Sequence, residues 1–182
     1  HNNDGESSLT PRKLTTDSGD LTIGGVAAFA AVMDREIADA RSEKNAVLTV
    51  YAGDSFLAGS ALACSEPTNT SSTKPVYDAV AQAQMDYDVH VLGNHEFDFT
   101  PSFLGRFLGA FDSASDNENH RFISGNMDFS ENADLAKYTV TPNKILENYT
   151  IHTDAVTGHV FGVVSAIYPQ LATISSPGTA EI

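Results

Sequence analysis

Val89-His90-Val91-Leu92-Gly93-Asn94-His95-Glu96-Phe97-Asp98 is the stretch whose reading decides the fold. Its first four residues form a short apolar run, read as a buried strand. The six that follow place an amide, an imidazole and two carboxylates directly after that strand. Open α/β folds put their chemistry beyond the carboxyl ends of parallel strands. Asn and His side by side are poor core material. A plain structural reading competes: Asn94 caps the next helix while Glu96 and Asp98 face water. The deciding question is whether other strand ends supply matching carboxylates.

Residues 46–52, Ala-Val-Leu-Thr-Val-Tyr-Ala, form a second run rich in β-branched side chains and read as a buried strand. Gly53-Asp54-Ser55 follows, a carboxylate at a second strand end. Residues 1–20 are polar and read as loop. Within them Asp4 and Glu6 are two apart, a spacing that in an extended segment points both side chains one way. Two carboxylates on one side repel unless a cation lies between them. Taken alone, the pair fits a solvated turn better.

The remaining chain alternates strands and helices. Gly24-Gly25 opens an amphipathic helix with Val26, Phe29, Ala30, Met33, Ile37 and Ala40 on one face, read as core packing. Residues 57–75 form a long loop, whose part 65–75 is almost wholly polar and is expected to be surface-exposed and mobile. Residues 76–85 have helical periodicity, and residues 101–111 form another helix with Pro101 in its first turn. Residues 112–120 read as a polar loop and 121–126 as a third strand. Runs 145–152 and 160–166, separated by Asp154-Ala155-Val156-Thr157-Gly158, predict a hairpin. Residues 175–182 show no closing element. No repeat or domain boundary interrupts the pattern, which predicts an α/β layered sandwich.

The chain has 182 residues and 41% hydrophobic content, enough for one domain with a real core. Against 24 Asp and Glu stand 10 Lys and Arg, a formal charge of −14. That balance argues against a nucleic-acid binder and against a polybasic membrane patch. The single cysteine, Cys64, permits no intrachain disulfide and no cysteine-based zinc or redox pair, and reads as an incidental loop thiol. No apolar run reaches the roughly 18–20 residues of a membrane span, and no signal peptide is seen. The polar start at His1, without a methionine, suggests a processed or excised piece.

Three separated segments thus offer oxygen or nitrogen ligands at strand ends: Asp4 with Glu6, Asp54, and Asn94 with His95 and Asp98. Hard divalent cations favour such donors, and two-metal hydrolases hold ions about 3.5–4 Å apart through a shared ligand. Asp54, on the middle strand, is the candidate bridge. Sequence reasoning gives Glu96 no role.

Asp4-Gly5-Glu6, Gly53-Asp54-Ser55 and Gly93-Asn94-His95-Glu96-Phe97-Asp98 resemble, in order, the motifs of the calcineurin-like metallophosphoesterases. The last has the form typical of the 5'-nucleotidase branch. Gly24-Gly25, Ser124-Gly125-Asn126 and Gly162-Val163-Val164 extend the resemblance over nearly the whole chain. It implies a layered α/β/β/α metallophosphatase sandwich, of which residues 1–182 are the N-terminal part, cut at both ends, without the C-terminal substrate-binding domain. It further implies two divalent metal ions (Mn, Mg, Zn or Ca), Asp4 and Asp54 ligating one, Asp54 and Asn94 the other. Glu6 stands where the family has histidine, and as an oxygen ligand would favour Mn or Mg over Zn. His95 would donate to phosphate oxygens in the transition state, and Asp98 would keep His95 oriented and protonated. The nucleophile would be a metal-bound water.

The family's downstream lone His and Gly-His-x-His have no counterpart here. His120, His152 and His159 read instead as surface or hairpin residues. The chain is therefore expected to hold about half of the metal ligands, to need the rest of its own chain to complete the site, and to hydrolyse little alone. The implied substrate is a nucleotide or other phosphate ester. Alternatives are a 2',3'-cyclic nucleotide phosphodiesterase, a thiosulfohydrolase, or a non-catalytic surface or binding module with a degenerate site. The resemblance implies export, to the periplasm, cell surface or exterior, with the cytoplasm as the alternative.

Overall fold

Short strands that carry Val50, Val89, Val91, Phe122, Ile123 and Leu146 form the centre of the fold, a four-stranded parallel sheet. The computed structural model describes residues 1–117, 120–142 and 144–182. In chain order the sheet strands are β3 (Val50–Tyr51), β4 (Val89–Val91), β5 (Arg121–Ile123) and β6 (Leu146–Glu147), and they lie side by side in that same order. Val50 pairs with Val89 and Tyr51 with His90, so β4 runs one residue, Val91, past the end of β3. Two antiparallel hairpins lie outside this sheet: β1 (Arg12–Thr16) with β2 (Gly19–Ile23), and β7 (Tyr149–Thr153) with β8 (Val160–Val164). This mixture of helices and a parallel sheet is the expected α/β class.

The core lies between the sheet and two helices, α3 (Tyr77–Ala83) and α4 (Pro101–Ala114). The periodicity of α4 explains its position: Phe103, Leu104, Phe107, Leu108 and Phe111 recur on one face and are all buried. Phe56 meets Phe103 edge-on at 5.0 Å between ring centres, and Phe111 meets Phe122 at the same distance. Each such ring contributes roughly 1.5–3 kcal/mol by leaving water. Pro101 occupies the first turn, where its missing N–H costs nothing.

One polar residue sits among these rings. His90, the middle of β4, stacks on Phe122 at 4.6 Å and meets Phe111 edge-on at 4.7 Å. Both its ring nitrogens lack a hydrogen-bond partner among the described residues. Burial pushes its pKa down to about 3, and the neighbouring His120 adds to the effect, so the ring is neutral. His120 is itself buried, with Nδ1 against the carbonyl of Asn117 and Nε2 3.5 Å from Asp112. The reading of His120 as a surface residue is therefore corrected; a polar flank in sequence gave no sign that its ring turns inward onto Phe111.

Other boundaries also shift. Residues 12–23, partly read as loop, form the β1–β2 hairpin; its apolar residues Leu14 and Leu21 remain exposed, so no burial pattern betrays it. Regular pairing in the run 46–52 is confined to Val50–Tyr51. Ahead of it Thr49 and Asp88 exchange side-chain hydrogen bonds of 2.8 and 2.9 Å, beside the backbone bonds that Asp88 N and Val89 N donate to Thr49 O, and together these join the approaches to β3 and β4. The run 145–152 divides: Leu146–Glu147 join the parallel sheet, and only Tyr149 onward forms the hairpin. Asp154 closes that hairpin by accepting from Thr157 N and Oγ1, both at 2.7 Å, and pairs with Arg41. Helix α1 (Val26–Ser42) forms as expected, yet none of its residues is fully buried, so its apolar face does not enter the core of the described residues.

Residues 57–75 contain a short helix, α2 (Ser60–Ala63), whose end Cys64 is exposed. The polar segment after it is anchored. Arg106, on α4, donates to the carbonyls of Ser65, Glu66, Asn69 and Lys74 at 2.9–3.4 Å, and Glu66 pairs with Lys74 at 2.9 Å. A guanidinium supplies several donors in one plane, and an ammonium cannot replace it in that geometry.

The folded pKa of His90, about 3, lies below the ordinary 6.5, so the unfolded chain takes up the proton first as pH falls. Its contribution is complete above pH 6.5 and is lost as pH drops toward 3. His90→Phe should therefore gain on the wild type steadily from about pH 7 to about pH 4 in urea melts; a constant difference would refute this. Arg106→Lys should cost about 1–3 kcal/mol through lost charged hydrogen bonds, and limited proteolysis should cut residues 65–75 faster.

Candidate functional site

The neighbouring carboxyl ends of β3 and β4 send two loops off the sheet side by side. Gly53 (φ +96°) opens the first and Gly93 the second. A Cβ on Gly53 would lie 2.8 Å from the amide nitrogen of Gly93. One on Gly93 would overlap Asp54 Oδ1. Neither position has room for a side chain, which explains both glycines.

Residues 2–7 run alongside residues 50–55 in step. Asn2 N donates to Val50 O at 3.2 Å, Asp4 N to Gly53 O at 3.0 Å, Glu6 N to Asp54 O at 3.1 Å and Ser7 N to Ser55 O at 3.2 Å. Tyr51, buried at the end of β3, accepts from Gly5 N at 2.9 Å. Asp4, Glu6, Ser7 and Asp54 all adopt left-handed backbone, with φ of 54°, 47°, 58° and 60°. Such conformations cost non-glycine residues on the order of 1–3 kcal/mol each, and they gather at functional sites.

From the second loop, His95 N donates to Asp54 Oδ1 at 3.0 Å. A 3₁₀ turn over His95–Phe97 directs the imidazole back toward Asp98, whose Oδ2 lies 2.6 Å from His95 Nδ1. Ser175 Oγ donates to the other oxygen of Asp98 at 3.0 Å, and Ser176 N to Phe97 O at 3.1 Å. Residues 175–182, for which no closing element was expected, thus pack back onto the motif, and Glu181 bridges to Asp128. Burial lowers the pKa of His95, but the hydrogen bond and charge of Asp98, with the charges of Asp54 and Glu6, outweigh it and hold the ring above its usual value.

Glu96 is the residue that sequence reasoning missed. Its carboxylate is buried and accepts from Ser55 N at 2.6 Å, Gly93 N at 2.6 Å and Asp54 N at 3.0 Å. Burial raises its pKa, and the three amides pull it back down. The reading of Glu96 as solvated is corrected: an acceptor three residues after Gly93 reaches back as in a capping box, which was the available sequence signal. Ser175, about 80 residues away, left none.

Asp54, Asn94, His95 and Asp98 are partly exposed, while Asp4 and Glu6 are exposed on the neighbouring segment. Asp54 Oδ2 meets no donor among the described residues, and the Asn94 side chain makes no hydrogen bond to another of them. The donor types fit a hard divalent cation. Among the described residues, however, no three His, Cys, Asp or Glu side chains gather closely enough to hold a metal ion. His152 lies on the hairpin 3.6 Å from Asp88, and His159 is exposed beyond its turn, both away from these loops.

No protein-family model matches the chain, and no curated protein does. Solved structures do. A 5'-nucleotidase precursor from Thermus thermophilus is 27% identical and superposes with a TM-score of 0.73 over 100% of this chain and 30% of its own. The NAD nucleotidase of Haemophilus influenzae is 22% identical, with a TM-score of 0.71 over 100% of this chain and 32% of its own. A calcineurin-like phosphoesterase from Bacillus subtilis is 20% identical, with a TM-score of 0.53 over 94% of this chain and 48% of its own. The chain spans less than half the length of each, as expected of an incomplete metallophosphatase domain. Among the described residues no helix is long and apolar enough to cross a membrane. The fold and these likenesses match the family that the sequence motifs resemble, the 5'-nucleotidase branch of the calcineurin-like metallophosphoesterases.

Proposed function

We propose that the chain supplies one wall of a dinuclear site that hydrolyses phosphate esters of nucleotides. Asp4, Glu6, Asp54 and Asn94 would hold two divalent cations (Mn, Mg, Zn or Ca), with further ligands from outside residues 1–182. The observation that carries this reading is the junction at Asp54. Its carboxylate is presented on left-handed backbone and fixed by His95 N, and the ring of the same histidine is fixed by Asp98. Nucleotide esters are the favoured substrates because two of the similar structures are nucleotidases. A relative described as a precursor supports export to the periplasm, cell surface or exterior.

The bound cations would lower the pKa of water and take charge from the phosphoryl oxygens. The chain's own residues do the positioning. With Nδ1 occupied by Asp98, His95 offers Nε2–H as a donor toward a phosphoryl oxygen. Asp98 favours the imidazolium form and is in turn held by Ser175. No side-chain nucleophile is required.

The test uses the full-length protein with AMP and p-nitrophenyl phosphate in the presence of Mn. His95→Ala should lower kcat by on the order of 10²–10³ while retaining Mn, the loss seen when one transition-state donor is removed. Asp54→Ala should lose both Mn binding and turnover. Residues 1–182 alone should release little phosphate. Absence of Mn-dependent phosphate release from the full-length protein would sink the proposal, and robust turnover by residues 1–182 would sink the one-wall reading.

A further inference from the structure

Glu96 reaches both loops from a position that a cation site leaves untouched. Its Oε1 accepts from Ser55 N, and its Oε2 accepts from both Asp54 N and Gly93 N. Two of those amides belong to the loop after β3 and one to the loop after β4. The clasp is reciprocal, since Asp54 of the first loop accepts from His95 N of the second. Gly53 and Gly93 leave no slack between the two backbones. A residue that merely filled core volume would be apolar, because burying a carboxylate costs free energy unless its oxygens are satisfied.

Building on the metal-site reading above, we infer that Glu96 is a positioning residue: its carboxylate sets the separation of the Asp54 and Asn94 loops, and through them the affinity for divalent cations, without touching the cations. Outer partners of metal ligands typically change affinity by about 10–100-fold when removed. Gln is the informative replacement. It has the same shape, but its NH₂ must face at least one N–H that Glu96 now accepts, so one of the two oxygen positions is lost while the volume stays.

The experiment compares full-length wild type, Glu96→Gln and Gly93→Ala by Mn titration calorimetry, circular-dichroism melting, and kcat and KM for AMP. Gly93→Ala disturbs the same junction with Glu96 intact, by pressing a methyl group on Asp54 Oδ1. A folded Glu96→Gln should bind Mn about 10–100-fold more weakly, regain much of its kcat at saturating Mn, and keep the KM for AMP. Should that variant not fold, the same loss of Mn affinity is expected of Gly93→Ala. Unchanged Mn affinity in whichever variant folds overturns the inference, as does failure of both to fold, which would show a role in stability alone. A wild type that neither binds Mn nor hydrolyses AMP defeats the proposed function instead; a wild type that does both beside an unaltered Glu96→Gln defeats only the role of Glu96.

Discussion

A carboxylate shut away from water must find donors within the protein, and the three amides around Glu96 come from two loops, which its carboxylate ties together alongside the bond from His95 N to Asp54 Oδ1. Parallel register makes this meeting unavoidable. With Tyr51 opposite His90, β4 runs only one residue further than β3, and the chain leaves both strands at neighbouring points on the same edge of the sheet. Gly53 and Gly93 then let backbone approach backbone, and the acidic side chain fills the remaining polar demand. One oxygen of the Asp54 carboxylate is held by His95 N across that junction. Residues 2–7, bonded in step to residues 50–55, inherit their position from it.

What could be read from the sequence follows how local the physics is. Helix α4 was legible because five apolar side chains repeat at helical spacing and all are buried. The strand before Gly93 and the hairpin around Asp154 were legible for similarly local reasons, a short run carrying Val89, Val91 and Leu92 and a turn closed by its own side chain. The Asp54 and Asn94 loops were found because polar residues stood directly after such strands. Glu96 was missed because its donors Asp54 N and Ser55 N lie over 40 residues away, and a Glu in a polar motif reads as solvated by default. His120 failed in the same way, its burial decided by Phe111 and not by its polar neighbours. Arg106 holds residues 65–74 through carbonyl oxygens, which no side-chain pattern records.

The left-handed backbone of Asp4, Glu6, Ser7 and Asp54 has to be held by something, because each conformation is unfavourable on its own. The in-step hydrogen bonds of residues 2–7 and the phenol of Tyr51 provide the restraint. The proposed function gives a reason for the strain to be kept there. A relaxed, extended segment would alternate its side chains across the strand, whereas this one departs from that alternation beside the Asp54 loop.

Electrostatics at that loop end favours the same reading. Burial lowers the pKa of His95, and Asp98, Asp54 and Glu6 together outweigh it, so the field of all three carboxylates reaches this ring. The chain as a whole carries a formal charge of −14. On the proposed function, a phosphate ester approaching these loops would meet like charge on nearly every side, with the His95 ring, its pKa raised, as a nearby group able to carry positive charge. Binding an anion at such a surface is unfavourable unless positive charge is placed between the two. Hard divalent cations satisfy both sides at once, binding the carboxylates and attracting the phosphate. On the proposed function, metal ions as the third party would reconcile an acidic wall with an anionic substrate, and the Asp54 oxygen that meets no donor among the described residues is where the first of them would attach.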